Sequence, residues 1–256
     1  VHTSAEELGR VFVPDLAINA HPEAISGYLA GQIWFAPDRW RSWREAAHAD
    51  YLASLQPVQS ASGLDVSSAM ATLSEKLQDR GIVTLDAGNH TGWPQRSLRS
   101  GRPGRPLGST NGAMGYSVAA AVAASLLHRD RLVIGCVGDG GFMMSGQEIA
   151  TAVHHGGKPI ILLFNNNMYG TIRMHQEREH PERVIGTDLV NPDFVTMARG
   201  MGAHAERVER TEEFGPALER AIASNRAALI ELVTDGEQIS TRMTITQLRQ
   251  KARASA

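Results

Sequence analysis

The chain has 256 residues, enough to bury the core of one large or two small domains. Its formal net charge is −2 and both signs are scattered, which excludes the strong positive field of proteins that bind nucleic acids or anionic membranes. A single cysteine, Cys136, excludes a disulfide framework and favours a reducing cytoplasm, and no apolar run is long enough for a membrane span.

The first segment, residues 1–35, contains short elements, including a helix-like stretch at 22–29, that cannot bury a core of their own. We interpret it as the tail end of a preceding central domain. The chain begins at Val1 rather than at a methionine, so we expect further residues upstream of it.

The next segment, residues 36–62, carries three aromatic residues at near-helical spacing, Trp40, Trp43 and Tyr51. A stretch rich in Gln, Ser and Gly follows them. Because exposed tryptophans are costly, this pattern predicts a linker whose aromatic side packs on a neighbouring domain.

From residue 63 to residue 256 the pattern becomes regular and predicts a third unit. A helix is indicated by apolar residues at positions 66, 70, 73 and 77, and further helices are predicted at 112–127, 146–155, within 167–180, at 193–201 and at 211–224. Strands are predicted at 82–85, 132–137, 160–164, 205–208 and 228–233. Strands that alternate with helices predict an α/β fold with a doubly wound, mostly parallel sheet.

A two-part motif marks the centre of this unit. Gly138-Asp139-Gly140-Gly141 closes one buried apolar run, and Asn165-Asn166-Asn167 closes the next. A helix joins the two strands, so they are parallel and both motifs reach the carboxyl edge of the sheet, where open α/β sheets bind ligands. A carboxylate and an amide oxygen beside free backbone N–H groups suit a hard divalent cation that holds a diphosphate.

Other phosphate-binding motifs do not match this stretch. A dinucleotide fingerprint requires glycine at position 143, which is Met143, and no P-loop sequence occurs. The remaining alternative is a tight turn followed by an unrelated loop. The spacing of the two motifs on adjacent strands disfavours that alternative.

Two further loops are expected at the same edge. Asp86-Ala87-Gly88-Asn89-His90 follows the first predicted strand, and the loop at 109–115 precedes an alanine-rich helix. Carboxyl ends of strands and amino ends of helices share one face of such a sheet.

Together these motifs resemble those of thiamin diphosphate-dependent enzymes of the acetolactate synthase, benzoylformate decarboxylase and benzaldehyde lyase superfamily. Residues 63–235 are similar to their C-terminal diphosphate-binding domain, and residues 1–35 to the end of their central domain. Gly-Asn-His at 88–90 resembles the family's Gly-Gln-His loop. Asn-Gly-Ala-Met-Gly-Tyr at 111–116 resembles Leu-Gly-Thr-Met-Gly-Phe, and residues 165–170 match Asn-Asn-x-x-Tyr-Gly.

The resemblance implies thiamin diphosphate and Mg²⁺ as cofactors. The metal would be bound by the Asp139 carboxylate, the Asn166 side chain and the Met168 carbonyl. Asp139 is expected on a solvent-facing edge. Gly140 and Gly141 would offer backbone N–H groups to the diphosphate; the family often has serine in place of Gly141.

The other end of the cofactor would lie over Met114, which would wedge it into a bent shape. The Gly112 carbonyl would accept a hydrogen bond from its amino group. In all, the resemblance implies contacts to the cofactor from Asn89, His90, Gly112, Ala113, Met114, Asp139, Gly140, Gly141, Asn166, Met168, Tyr169 and Gly170.

The implied reaction breaks or forms a C–C bond next to the carbonyl of a 2-oxo acid or aldehyde. The family's activating glutamate lies in a pyrimidine-binding domain, and no glutamate of this chain has an equivalent context. We therefore expect the chain to be a fragment of a longer one, or the diphosphate-domain subunit of a two-chain decarboxylase or oxidoreductase. A non-catalytic module that kept the fold is the other alternative. The resemblance also implies a homodimer or homotetramer with the cofactor between subunits.

Overall fold

The chain divides into two compact units, Val1–Ser54 and Leu55–Ala256, in a computed structural model that describes residues 1–32, 38–56, 63–77, 80–98 and 106–255. The first unit contains a short 3₁₀ turn and two helices, α1 (Pro22–Ala30) and α2 (Arg41–Ser54). Neither helix has a buried residue, and Trp43 is 74% exposed. Packing of its aromatic residues on a neighbouring domain stays a prediction, and the Gln- and Ser-rich stretch at 57–62 lies outside the described residues.

The second unit is built on a six-stranded sheet in which adjacent strands pair in parallel. The strand order is β2-β1-β3-β4-β6-β5. The strands are β1 (Ile82–Leu85), β2 (Pro106–Gly108), β3 (Val133–Gly138), β4 (Ile160–Asn165), β5 (His204–Val208) and β6 (Ala228–Val233). This architecture confirms the predicted α/β fold with a parallel sheet.

Helices cover both faces of the sheet. The helices of this unit are α3 (Val66–Leu77), α4 (Gly92–Ser97), α5 (Tyr116–Leu127), α6 (Asp139–Ser145), α7 (Glu148–His155), α8 (Gly170–Glu179), α9 (Phe194–Gly200), α10 (Thr211–Ala223) and α11 (Ile245–Ser255). Residues of α3 and α10 join one core cluster, and residues of α5, α7 and α9 join the other.

The central strand β4 shows how the sequence produces these two layers. Ile160 and Leu162 belong to the core on one face, whereas Ile161 and Leu163 belong to the core on the other. Because both faces are covered, the strand is apolar throughout rather than alternating. Burial of each such side chain stabilises the fold by about 1.5–3 kcal/mol.

Cys136 lies within β3 and is fully buried. Burial raises the pKa of its thiol to about 12, so the thiolate is not available at neutral pH. The structure therefore agrees with its interpretation as a core residue and not a nucleophile.

Several local features differ from the sequence-based expectation, and α4 and α6 were among the elements not predicted. The alanine-rich helix begins at Tyr116 instead of Gly112, because Gly112 and Gly115 have φ angles of 68° and 84° that a right-handed helix cannot include. The edge strand β2 was not predicted, since its three residues include proline and glycine. The C-terminal helix α11 was not predicted either, since only Ile245 and Leu248 of it belong to a buried cluster.

Across the described parts of the chain, no helix combines the length and apolar character needed to cross a membrane.

Candidate active site

A cleft lies at the carboxyl edge of the sheet, where segments that follow β1, β3, β4 and β6 meet. It encloses about 960 Å³, part of which is open to solvent. Ten of the residues that the sequence resemblance pointed to line it: Asn89, His90, Met114, Asp139, Gly140, Gly141, Asn166, Met168, Tyr169 and Gly170. Gly112 and Ala113 are exposed on the loop that leads to Met114 and are not among the lining residues.

Asp139 is the first residue of α6, directly after β3. Its side chain is buried, with 3% of the residue exposed, so the expectation of a solvent-facing position was wrong. Oδ1 accepts a hydrogen bond from the Gly140 N–H at 2.9 Å, and Oδ2 accepts one from Asn191 Nδ2 at 2.8 Å. Burial raises the pKa of Asp139, and these hydrogen bonds oppose that rise. A cation beside this carboxylate would offset the cost of its burial.

The asparagine run at the end of β4 divides into two roles. Asn165 is buried. Its side-chain Nδ2 donates to Glu231 Oε1 at 2.7 Å, and its side-chain Oδ1 accepts from the Asn167 N–H at 3.1 Å. Asn166 instead lines the cleft, where its Oδ1 accepts from the Met168 N–H at 3.2 Å. The second asparagine is therefore the one that can reach a ligand.

A short antiparallel bridge between Met168 and Asp188 holds the segment that follows β4 in place. The Asn167 carbonyl accepts from the Leu189 N–H at 2.9 Å, and the Tyr169 N–H donates to the Thr187 carbonyl at 2.8 Å. The N–H of Met168 points to the other side, where it donates to Asn166 Oδ1 at 3.2 Å. That side carries the Asn166 side chain.

Asp139, Asn166 and Met168 all line one cleft, and they carry a carboxylate, an amide oxygen and a backbone carbonyl. Oxygen donors of this kind suit Mg²⁺, which keeps water and phosphate oxygens as its remaining ligands. Within the described residues no group of three or more His, Cys, Asp or Glu side chains could hold a metal ion. The oxygen donors of Asp139, Asn166 and Met168 fit a hard cation better than a transition metal.

The glycine turn is tightly enclosed, which explains why it has no side chains. A Cβ on Gly140 would lie 2.4 Å from Cε1 of Tyr169, and a Cβ on Gly141 would lie 2.1 Å from Oδ2 of Asp86. The serine that the family often has in place of Gly141 would require the Asp86 carboxylate to move.

Asp86 contributes to the site although sequence reasoning gave it no role. It follows β1 and is 5% exposed, and its carboxylate accepts from the backbone N–H groups of Gly115 at 3.0 Å and Tyr116 at 2.9 Å. Burial raises its pKa, and these backbone bonds lower it. Asp86 thereby fixes the loop that presents Met114 to the cleft. Its position directly after a strand is the signal that could have identified it.

His90 and Asn89 differ in how they are bound. The amide of Asn89 donates to the Ile239 carbonyl at 2.9 Å and its oxygen accepts from Thr171 Oγ1 at 3.0 Å, so it connects three segments of the cleft wall. The His90 ring packs on Phe164 at 5.4 Å, and its Nε2 is buried without a hydrogen-bond partner among the described residues.

The unpartnered Nε2 of His90 fits an anionic ligand. Burial lowers the pKa of His90 to about 4, opposed by a hydrogen bond to the backbone of Cys136, so the ring is neutral at pH 7. A diphosphate beside it would favour the protonated ring, in which both nitrogens donate. Contact between His90 and a diphosphate stays a prediction that this buried nitrogen supports.

The lowered pKa of His90 predicts a pH-dependent stability. The unfolded chain binds a proton near pH 6.5 and the folded one only near pH 4, so the stabilisation is present above pH 6.5 and is lost as the pH falls to 4. Between pH 7 and pH 4.5 the ligand-free protein should lose about 2 kcal/mol more unfolding free energy than His90→Gln does, as measured by urea unfolding. Equal losses in the two proteins would contradict the assignment.

Comparison with known proteins adds independent information. Residues 86–232, more than half of the chain, match the family model of the thiamine pyrophosphate enzyme, C-terminal TPP binding domain. This range contains most of the cleft residues described above.

Curated relatives cover much of this chain. The acetolactate synthase large subunit of Corynebacterium glutamicum is 35% identical over 63% of this chain and 27% of its own length. The mitochondrial acetolactate synthase catalytic subunit of Saccharomyces cerevisiae is 26% identical over 91% of this chain and 35% of its own. A 3D-(3,5/4)-trihydroxycyclohexane-1,2-dione hydrolase of Bacillus subtilis is 31% identical over 68% of this chain and 29% of its own. The chain thus spans about a quarter to a third of these relatives.

Solved structures also match the fold. A thiamine diphosphate-dependent 4-hydroxybenzoylformate decarboxylase of Rhodococcus jostii RHA1 superposes with a TM-score of 0.66 and 27% identity, covering 70% of this chain and 34% of that one. A benzoylformate decarboxylase of Polynucleobacter necessarius gives a TM-score of 0.62 at 24% identity, covers 70% of this chain and 33% of that one, and shows the shared fold alone.

Proposed function

The chain belongs to the thiamine pyrophosphate enzymes, and from this premise we propose that it supplies the half of an active site that holds the diphosphate and Mg²⁺ of thiamin diphosphate. The complete enzyme would cleave or form a C–C bond next to a carbonyl, as a 2-oxo acid decarboxylase or an acetolactate synthase-like carboligase.

The observation that carries this proposal is the meeting of Asp139, Asn166 and Met168 in one cleft beside the glycine turn of α6. These residues lie on segments after two different strands, and the parallel sheet brings them to one edge. Each offers an oxygen of the kind that Mg²⁺ prefers. Gly140 and Gly141 of the same turn line the cleft, where their backbone would lie beside the diphosphate.

The residues of this chain would bind and orient the cofactor. When bound, thiamin diphosphate supplies a carbon nucleophile and an electron sink, which is chemistry that no protein side chain provides. Met114 is 37% exposed at the cleft, and Asp86 holds its loop in place through a hydrogen bond from the Gly115 N–H. The Met114 side chain would support the cofactor in its bent shape. Apolar lining residues such as Ile239 and Phe164 would keep water from that surface.

The activities of the relatives support the reaction class. Acetolactate synthases are among the curated relatives and a 2-oxo acid decarboxylase is among the matched structures. The hydrolase of a cyclic dione among them indicates that the domain serves more than one reaction. We further propose that a pyrimidine-binding domain, from the full-length chain or another subunit, completes the site in a homodimer or homotetramer, and that the enzyme is cytoplasmic.

The experiment that tests this function is a titration of the complete protein with thiamin diphosphate by calorimetry, with Mg²⁺ and with EDTA. We expect saturable binding that requires the metal, followed by turnover of pyruvate or benzoylformate. Carbon dioxide and an aldehyde would identify a decarboxylase, and an acetohydroxy acid would identify a carboligase. Failure to bind the cofactor with Mg²⁺ present would refute the proposal.

A further inference from the structure

Asn191 lies behind the proposed metal ligands and outside the set of residues that line the cleft. Its Nδ2 is within hydrogen-bond distance of three oxygens, Asp139 Oδ2 at 2.8 Å, Asn165 Oδ1 at 2.9 Å and Asn167 Oδ1 at 3.2 Å. Since all three are acceptors, the Asn191 amide has to present its nitrogen to them. The orientation of this side chain is therefore fixed by its surroundings.

A second set of hydrogen bonds fixes the orientation of Asn165. Its amide nitrogen donates to Glu231 Oε1 at 2.7 Å, and Glu231 Oε2 accepts from Arg207 Nε at 2.9 Å. Glu231 is 1% exposed, so its carboxylate depends on these two partners. Because the Asn165 nitrogen is committed to Glu231, its oxygen has to face Asn191. A chain of polar groups thus connects β6 to the Asp139 carboxylate.

This chain constrains the orientation of the Asp139 carboxylate. Each of its oxygens accepts one hydrogen bond, Oδ2 from the Asn191 side chain, which the chain holds in place, and Oδ1 from the N–H of the next residue, Gly140. Mg²⁺ requires a compact octahedral shell and commonly takes one oxygen from each carboxylate. Ca²⁺ is larger and readily accepts both oxygens of one carboxylate.

We propose that Asn191 is a positioning residue that keeps Asp139 in a one-oxygen binding mode and thereby makes the site prefer Mg²⁺ over Ca²⁺. This inference rests on the proposed function, because it concerns the metal that holds the diphosphate. Asn191 acts through Asp139 and does not itself reach the cofactor.

The test compares three forms of the complete protein: the unaltered protein, Asn191→Ala, and Val190→Ala as a matched control. Val190 is the adjacent residue and its side chain is fully exposed. Its replacement by alanine therefore truncates a side chain on the same segment without removing a hydrogen bond. For each form, the Mg²⁺ and Ca²⁺ concentrations that half-saturate thiamin diphosphate binding are measured by calorimetry. Circular dichroism at the same temperature checks that each protein is folded.

We expect Asn191→Ala to raise the half-saturating Mg²⁺ concentration by about 10- to 100-fold, the usual effect of removing a group that orients a metal ligand. The half-saturating Ca²⁺ concentration should change by less than about threefold, so the preference for Mg²⁺ should fall by at least about threefold. Val190→Ala should behave like the unaltered protein. If Asn191→Ala does not fold, Asn191→Ser replaces it with the same expectation, since its short side chain cannot span the gap between two oxygens.

Two results would overturn the inference: no change in the half-saturating concentration of either metal in Asn191→Ala, or equal-fold losses for both metals, which would leave the preference unchanged and indicate a purely structural role. An unaltered protein that binds thiamin diphosphate without any divalent cation would instead refute the proposed function. The two failures are therefore distinguishable.

Discussion

Replacement of Asp139 by alanine is expected to abolish Mg²⁺-dependent binding of thiamin diphosphate by the complete protein. Asp139 provides the charged oxygen among the three proposed metal ligands, and its removal leaves only two neutral oxygens facing the cation. We expect the affinity for the cofactor in the presence of Mg²⁺ to fall by at least about 100-fold, or about 2.7 kcal/mol, as measured by calorimetry.

The stability of the metal-free fold should change little in the same variant. Because burial raises the pKa of Asp139, folding disfavours its ionised form relative to the unfolded chain, and alanine removes that penalty. The unfolding free energy should therefore fall by less than about 1 kcal/mol. Asp130→Ala is the control, since this carboxylate is exposed and pairs with Arg80 at 3.0 Å. Undiminished Mg²⁺-dependent binding in Asp139→Ala would argue against the assigned metal site.

The largest loss of stability is expected from Glu177→Ala, which removes a fully buried carboxylate of α8. Glu177 Oε1 accepts from Arg173 Nε at 3.0 Å and from Arg249 Nη2 at 2.6 Å, and Oε2 accepts from Arg249 Nε at 2.8 Å. Arg249 lies on α11, so this ion pair fastens the C-terminal helix to the helix that follows the proposed metal loop. Its loss leaves two arginines without their buried partner, at a cost of about 3 kcal/mol in urea unfolding.

The pH dependence provides a second measurement of the same ion pair. The hydrogen bond from Arg249 lowers the pKa of Glu177 to about 2, from an ordinary value of 4.5. The stabilisation is therefore complete above pH 4.5 and is lost as the pH falls toward 2. Between pH 5 and pH 2.5 the unaltered chain should lose more unfolding free energy than Glu177→Ala.

Glu179→Ala is the matched control for the same helix. Glu179 is exposed and pairs with Arg178 at 3.0 Å, so its removal should cost less than about 1 kcal/mol. Limited proteolysis should release the C-terminal helix from Glu177→Ala and not from Glu179→Ala. Similar stability and proteolysis of the two variants would show that the ion pair does not hold α11 in place.

The sequence by itself predicted the parallel α/β fold and the edge at which the cleft lies. The apolar runs of β3 and β4, joined by a helix of the right length, leave a parallel pairing as the accessible arrangement. Residues that follow such strands must emerge at one edge, so Asp139 and Asn166 could be placed together before their positions were known. Their assignment as metal ligands stays a prediction.

Other features of the cleft had no local signal. Asn191 lies 52 residues from Asp139, and Glu231 lies 66 residues from Asn165, so no periodicity or spacing connects them. Hydrogen bonds of this range depend on side-chain positions that only the packed sheet defines. Neither residue was identified from the sequence, although both determine how the proposed ligands are held.

The sequence of this protein thus determined which chemical groups reach the edge of the sheet, because strand direction and side-chain alternation follow from local hydrophobic patterns. The tertiary structure alone decided how those groups are oriented. It buried the Asp139 carboxylate, which sequence reasoning had placed toward solvent, and it engaged Asn89 with two other segments. Burial and orientation depend on contacts from distant segments, whose free energies become defined only when the whole unit has folded.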